Sequence, residues 1–85
     1  MENIIEYLNK SKNNILEINI TRFISSKFFI EEFEYNIQND ILNIKEKNKD
    51  VFLEINLNQV YQIEEIENYI KIYIDNDIVI KIKNN

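Results

Sequence analysis

From Ile15 onward, apolar residues recur at every second position over much of the chain. The clearest run is Ile70, Ile72, Ile74, Ile78, Ile80 and Ile82. Because successive side chains of a strand point to opposite faces of a sheet, this period of two predicts strands with one buried face. A slip of one residue would turn that face to solvent, so every turn must keep the buried faces aligned.

The C-terminal hairpin satisfies this requirement. Both of its apolar faces are even-numbered, so they need a turn with an odd number of residues, and Asp75-Asn76-Asp77 provides one. Asn or Asp can take the left-handed backbone conformation that Gly usually adopts in such turns. The predicted register pairs Ile72 with Ile80, and it also sets Lys71 opposite Lys81 on the outer face.

Two turns in the middle of the chain obey the same rule. Asn39-Asp40 forms a two-residue turn that pairs Ile37 with Leu42. Residues 47–50, or their central pair alone, form an even turn that pairs Leu42 with Ile55. The sequence therefore predicts three consecutive strands whose apolar residues share one face.

The first hairpin is predicted to turn at residues 25–27, because Ile24 and Phe28 on either side are both even-numbered. Arg22 would then lie on the apolar face. We expect it to form a salt bridge across this hairpin with Glu31 or Glu32 and to close one end of the fold.

The alternation breaks at two places. At Glu31-Glu32 the buried face changes parity, which predicts a β-bulge, with a helical turn over residues 26–32 as the alternative. Between residues 57 and 69, Val60, Ile63 and Ile66 recur at three-residue spacing. That spacing favours a short 3₁₀ or helical turn beginning near Asn58 over a strand.

Ahead of the strands, Met1, Ile4, Ile5 and Leu8 recur at helical spacing and predict an amphipathic helix over residues 2–10. The predicted fold is mainly β, in the α+β class, with one domain over residues 1–85. The helix is followed by a five- or six-stranded antiparallel meander that forms a strongly curved sheet or a small open barrel. The strands are expected at residues 15–24, 28–38, 41–47, 50–57, 69–75 and 78–83. In this order the last strand is an edge, which Lys81 and Lys83 would protect from aggregation.

This layout resembles the Sm-like and SH3-like small barrels, which also carry a terminal helix or a 3₁₀ turn near the last strands. The resemblance covers topology alone. The glycine-bearing and asparagine-bearing signatures with which Sm proteins hold RNA are missing, so the resemblance assigns no site residue.

The chain contains no Gly, Pro, Cys, His, Trp or Ala. Without His or Cys there is no ordinary zinc site, no thiol nucleophile and no imidazole base that titrates near neutral pH. Without Gly there is no phosphate-binding loop and no nucleophile elbow. We therefore expect a protein that is not an enzyme and that binds no metal or cofactor.

Composition and charge restrict the partners. The chain has 19 Ile and 15 Asn among 85 residues, a bias typical of AT-rich bacteria and their phages, so we expect the cytoplasm of a bacterial host cell as its location. The net charge of −5 argues against direct binding of nucleic acid and against docking on anionic membranes. No apolar segment is long enough to span a bilayer.

The candidate partner-binding residues are two acidic groups and two tyrosines: Glu31, Glu32, Glu34, Glu64, Glu65, Glu67, Tyr69 and Tyr73. The carboxylates lie next to predicted bends, where they can imitate a phosphate backbone and attract a basic groove. The tyrosines lie on the outer face of their strand and could anchor an interface. An alternative is that the carboxylates only keep the turns soluble.

The first functional hypothesis is a small acidic inhibitor, from a phage or mobile element, that occludes a basic nucleic-acid-binding site on a larger protein. In size, charge and lack of catalytic residues the chain resembles small phage proteins that block host nucleases, the anti-CRISPR proteins among them. The alternative is a small barrel with a structural or regulatory role that forms a homo-oligomer through its edge strands.

Overall fold

The computed structural model describes residues 2–75 and 77–84, which form one short helix and eight strands. In chain order the elements are α1 (Glu2–Lys10), β1 (Leu16–Thr21), β2 (Ser25–Ile30), β3 (Phe33–Gln38), β4 (Ile41–Glu46), β5 (Phe52–Asn56), a 3₁₀ turn (Leu57–Gln59), β6 (Val60–Ile66), β7 (Tyr69–Ile74) and β8 (Ile78–Asn84). The predicted fold class, mainly β with a short N-terminal helix, is confirmed, but the described residues form eight strands and not five or six, because the strand predicted at 28–38 is two strands and β6 was not expected.

The strands form two antiparallel sheets. One has five strands in the order β2-β1-β8-β7-β6, and the other has three in the order β3-β4-β5. The five-stranded sheet keeps β2 and β6 as its edges and is therefore open. The order departs from a meander because β1 pairs with β8. As a result, Lys81 and Lys83 lie on an inner strand and do not protect an edge as predicted.

The registers predicted for the hairpins β3–β4, β4–β5 and β7–β8 are confirmed. Ile72 pairs with Ile80 across β7 and β8, and Lys71 lies opposite Lys81. Leu42 pairs with Ile37 on one side and with Ile55 on the other. Asn39 and Asp40 both have positive φ, as a two-residue hairpin turn requires. Asp77 also has positive φ, while Asn76 of the same predicted turn lies outside the described residues.

Side chains from the helix and from both sheets form one hydrophobic core. Ile4 and Leu8 of α1 are buried, as predicted from their spacing. They pack with the inward faces of the two sheets, whose fully buried members include Leu16, Ile18, Ile30, Leu42, Ile44, Ile70, Ile72 and Ile82. The helix thus closes the core and leaves the outer face of the five-stranded sheet uncovered by α1.

The prediction for the first hairpin was wrong in its turn and in Arg22. The turn comprises residues 22–24, and Ile18 pairs with Phe28. The rule on turn length cannot distinguish this register from the predicted one, since both turns contain an odd number of residues. The observed register is favoured because it sets Leu16 opposite Ile30, and both are buried. Arg22 is exposed at the hairpin tip, about 17 Å along the strand from the end where Glu31 begins the next turn.

The two breaks in the alternation have different causes. Glu31 and Glu32 form neither a bulge nor a helical turn, because the chain leaves the five-stranded sheet there and enters the other sheet at Phe33. The 3₁₀ turn near Asn58 is confirmed, but the following residues form β6, which corrects the prediction against a strand. A bulge between Val60 and Gln62 shifts the register of β6, so that Val60 and Ile63 share the inner face, whereas Ile66 pairs with Tyr69 on the outer face.

Within the described residues, no helix has the length and apolarity needed to cross a bilayer.

Candidate functional site

Both predicted acidic groups lie at the same end of the five-stranded sheet. Pairing runs from Ile30 to Leu16 and from Leu16 to Asn84, and the Asn84 N–H then donates to the Asn68 carbonyl at 3.1 Å. These paired residues form a row across the sheet, from the β2–β3 turn at one edge to the β6–β7 turn at the other. Four strand spacings separate these edges, about 19 Å along the sheet.

We call this region the acidic end and define it by its exposed glutamates: Glu31, Glu32, Glu65 and Glu67. In the part of the chain that the structure describes, none of the four forms an ion pair with a lysine or arginine. The other two predicted glutamates have partners. Glu34 forms an exposed salt bridge of 3.8 Å with Lys45, and Glu64 lies opposite Lys71 and accepts a hydrogen bond from the Tyr73 hydroxyl.

The β2–β3 turn is held by a buried carboxylate. Oε1 of Glu46 accepts a hydrogen bond of 2.9 Å from the Glu31 backbone N–H, and its Oε2 lies 3.8 Å from the Lys49 ammonium. The Glu32 carbonyl accepts a second bond from the Lys47 N–H at 3.2 Å. Hydrogen bonds to a carboxylate are stronger than neutral ones, so Glu46 holds the backbone of the turn at Glu31.

The β6–β7 turn is held by the helix. The Tyr7 hydroxyl donates to the Asn68 carbonyl at 2.6 Å, and buried Ser11 donates from Oγ to the Tyr7 carbonyl at 2.8 Å. Nδ2 of Asn84 donates in turn to the Ser11 Oγ at 3.0 Å. Burial of the Tyr7 ring raises the pKa of its hydroxyl above 10, the ordinary value. The nearby Glu65 carboxylate adds to the increase.

The backbone distinguishes these two turns from the others. Among the described residues, positive φ occurs at Asn and Asp, which tolerate it, and otherwise only at Glu32 (44°) and Glu67 (40°). A residue other than Gly in the left-handed region typically costs about 1–2 kcal/mol. The surrounding bonds therefore hold two glutamates in unfavourable conformations, both at the acidic end.

The structure places the two predicted tyrosines on the outer face of β7, both half-buried. The Lys81 ammonium lies 4.5 Å from the centre of the Tyr69 ring, a cation–π contact. Tyr73 packs edge-to-face against Tyr61, with 6.2 Å between ring centres. The hydrogen bond to Glu64 raises the pKa of Tyr73. Tyr69 therefore adjoins the acidic end through the β6–β7 turn, whereas Tyr73 is engaged with Glu64.

An open cleft of about 870 Å³ adjoins the β2–β3 turn. Ile15, Phe33 and Tyr35 contribute apolar surface to it. Its charged lining residues are Lys12, Lys47, Glu31, Glu32 and Glu34, a net negative set. The cleft is therefore bordered by one of the two acidic groups and by three partly exposed side chains with apolar surface.

Sequence reasoning missed the residues that hold the two turns. Glu46 could have been found, because it continues the even-numbered face of Leu42 and Ile44 and so had to point inward. Ser11 and Tyr7 carry a weaker signal, since a serine that ends a helix is usually exposed. No local pattern indicated that Tyr7 would reach the β6–β7 turn.

No group of three carboxylates is close enough to hold a metal ion in residues 2–75 and 77–84. Comparisons with family models, with curated proteins and with solved structures find no match for the chain.

Proposed function

We propose that the protein is a small acidic binding protein, not an enzyme, whose acidic end occupies a basic nucleic-acid-binding groove on a larger protein. The observation that carries this proposal is the arrangement of Glu31, Glu32, Glu65 and Glu67 at one end of a sheet, on or next to two turns that buried side chains hold in place. Carboxylates on a rigid frame attract a basic groove without a large loss of conformational entropy on binding.

The geometry of the acidic end suits such a groove. Its two turns lie about 19 Å apart along the sheet, so the carboxylates form two separated clusters of negative charge. Tyr69 follows the second cluster and places an aromatic side chain beside it. Carboxylates at the rim of an interface contribute little to slow dissociation, so an aromatic anchor of this kind is required. The AT-rich composition supports an origin in a phage or mobile element, acting in the host cytoplasm as an inhibitor of the anti-CRISPR kind.

The test is competition for DNA. Each protein of a panel of purified bacterial DNA-binding proteins, CRISPR nucleases included, is loaded with a fluorescent duplex, and displacement by this protein is followed by anisotropy. We expect displacement from at least one member, weakening steeply between about 50 and 200 mM salt because the contacts are ionic.

Two variants with equal changes in charge decide whether the acidic end is responsible. Glu31→Lys with Glu65→Lys reverses two exposed carboxylates of the acidic end, and Glu54→Lys with Asp75→Lys reverses two exposed ones elsewhere. We expect the first pair to lower the association rate by about tenfold or more, and the control pair to have a much smaller effect. Equal effects of the two pairs, or displacement that ignores salt, would contradict the proposal.

The role of Tyr69 is tested separately. Tyr69→Ala should mainly speed dissociation, since a desolvated aromatic contact acts after encounter. Tyr61→Ala removes a more exposed ring from the same face of the sheet and serves as the control. If both variants dissociate at the rate of the original protein, Tyr69 is not the anchor.

A further inference from the structure

The end of the five-stranded sheet opposite the acidic end carries two large apolar side chains in water. Phe23 and Ile24, at the tip of the β1–β2 hairpin, are 88% and 81% exposed. They are neighbours in the chain, so they form one projecting apolar surface. Scattered apolar residues on a surface are ordinary, but two adjacent ones exposed to this extent indicate a contact that the isolated chain does not make.

The tip is ordered by its own contacts. The Arg22 N–H donates to the Ile24 carbonyl at 3.2 Å, and the hydroxyls of Thr21 and Ser25 lie 3.3 Å apart at its base. The Arg22 guanidinium lies 4.7 Å from the centre of the Phe23 ring. The tip therefore presents an aromatic ring, an aliphatic side chain and the one arginine of the chain, residue types that suit the centre of an interface.

We propose that this tip docks into the cleft beside the β2–β3 turn of a second copy of the chain. The partly exposed Ile15, Phe33 and Tyr35 of the cleft offer apolar contacts for Phe23 and Ile24. Glu31 and Glu32, which form no ion pair with the described lysines and arginine, border the cleft and attract Arg22. The cleft volume of about 870 Å³ falls within the range of sites that enclose small ligands, which leaves room for two side chains.

The positions of the tip and the cleft determine the kind of assembly. They lie at opposite ends of the same β1–β2 hairpin, so a copy that has received a tip still presents its own tip to a third copy. Such a head-to-tail contact is heterologous and produces chains unless the rotation between copies closes a ring. The proposal does not depend on the acidic end binding a larger protein, although docking would cover Glu31 and Glu32 and so compete with it.

The first measurement is sedimentation velocity of the wild-type protein from about 1 μM to 1 mM, the range in which weak contacts of this size associate. We expect an average mass that rises with concentration. The tip variant Phe23→Ser with Ile24→Ser should weaken association by about tenfold or more, because it removes the apolar contact. Phe52→Ser, which removes a half-exposed ring on β5, is the control and should associate as the wild type does.

A mixing experiment tests the geometry. The cleft variant Glu31→Lys with Glu34→Lys keeps the tip, and the tip variant keeps the cleft. Alone, each should stay monomeric at concentrations at which the wild type associates. Mixed, they should form a one-to-one complex, because one intact tip meets one intact cleft. The substituted residues of both variants are exposed, and circular dichroism of each variant checks that it is folded.

Three results would overturn the proposal. A wild-type protein that stays monomeric throughout the concentration range shows that the tip has no such partner. Association that persists in the tip variant points to the edge strands β2 and β6 instead. A mixture of folded tip and cleft variants that does not associate rules out a heterologous contact.

Discussion

The two ends of the five-stranded sheet differ in what they expose and in how they are held. The acidic end exposes carboxylates on turns fixed by Glu46 and by the Tyr7 hydroxyl. The opposite end exposes Phe23 and Ile24 on a hairpin tip closed mainly by its own backbone. One end thus depends on buried side chains from other elements, whereas the other end depends on residues within the same hairpin.

This difference determines which substitutions affect the stability of the protein. The acidic end is coupled to the core through its supports, so changes below it should alter both stability and the position of its carboxylates. The tip is coupled to little besides β1 and β2, so changes there should alter association and leave stability almost unchanged. Four predictions test this contrast, in order of decreasing effect on the free energy of unfolding.

The largest effect is expected for Ile72→Ala, because Ile72 is fully buried in the middle of β7, between the two ends of the sheet. Loss of its side chain should lower the free energy of unfolding by about 2–4 kcal/mol, measured by urea denaturation. Both ends should lose amide protection to a similar extent. Ile66→Ala, on the outer face, is the control; an equal loss there would contradict the assigned faces.

Glu46→Ala should lower the free energy of unfolding by about 1–3 kcal/mol, because the Glu31 N–H loses its charged acceptor. Hydrogen exchange should accelerate at Glu31 and remain unchanged at the hairpin tip. Glu46→Gln keeps an oxygen acceptor and should recover part of the loss, while exposed Glu54→Ala on the neighbouring strand should have little effect. Unchanged exchange at Glu31 in the alanine variant would show that Glu46 does not hold the turn.

Tyr7→Phe should lower the free energy of unfolding by about 1 kcal/mol at neutral pH, since it removes the bond to the Asn68 carbonyl. The folded state raises the pKa of Tyr7 above 10, so the folded state binds this proton more tightly than the unfolded state does. The resulting stability is complete below pH 10 and is lost as the pH rises through the folded-state pKa. Denaturation measured from pH 8 to 11 should therefore show a steeper decline above pH 10 for the wild type than for Tyr7→Phe. Parallel curves would indicate that Tyr7 is not the group responsible.

Phe23→Ser with Ile24→Ser should change the free energy of unfolding by no more than about 0.5 kcal/mol, because both side chains already lie in water. A dilute sample is required, so that self-association does not contribute to the stability measured. A loss of more than 1 kcal/mol would mean that the tip packs on the rest of the molecule, and the contrast between the two ends would fail.

The sequence predicts local pairing better than distant pairing. The hairpins at Asn39-Asp40 and at residues 75–77 could be predicted, because turn length and the period of two leave one parity for each. The same rule could not select the register of β1 and β2, because turns at residues 22–24 and 25–27 both have an odd number of residues. The observed register is the one that pairs Leu16 with Ile30. The rule could not identify β8 as the neighbour of β1, since alternation shows which face is buried and not which strand lies alongside.

The candidate site was predicted in its residues but not in its arrangement. Both acidic groups could be found from composition and from the breaks in the alternation. Their common location could not, because it follows from the pairing of β1 with β8. The exposure of Phe23 and Ile24 was hidden by the predicted turn at residues 25–27, which placed Ile24 on the buried face.

The pairing of β1 with β8 also sets an order of events during synthesis. Ile18 lies beside Ile82, so one side of β1 has no neighbour until β8 has left the ribosome. Until then the β1–β2 hairpin presents the open side of β1 to other nascent chains, at the stage when strand exchange between chains is easiest. A contact between residues so distant in the chain also slows folding, since closing the long segment between β1 and β8 costs conformational entropy before the two strands pair. Rapid folding of the first hairpin alone therefore does not cover β1, because only β8 can occupy its other side.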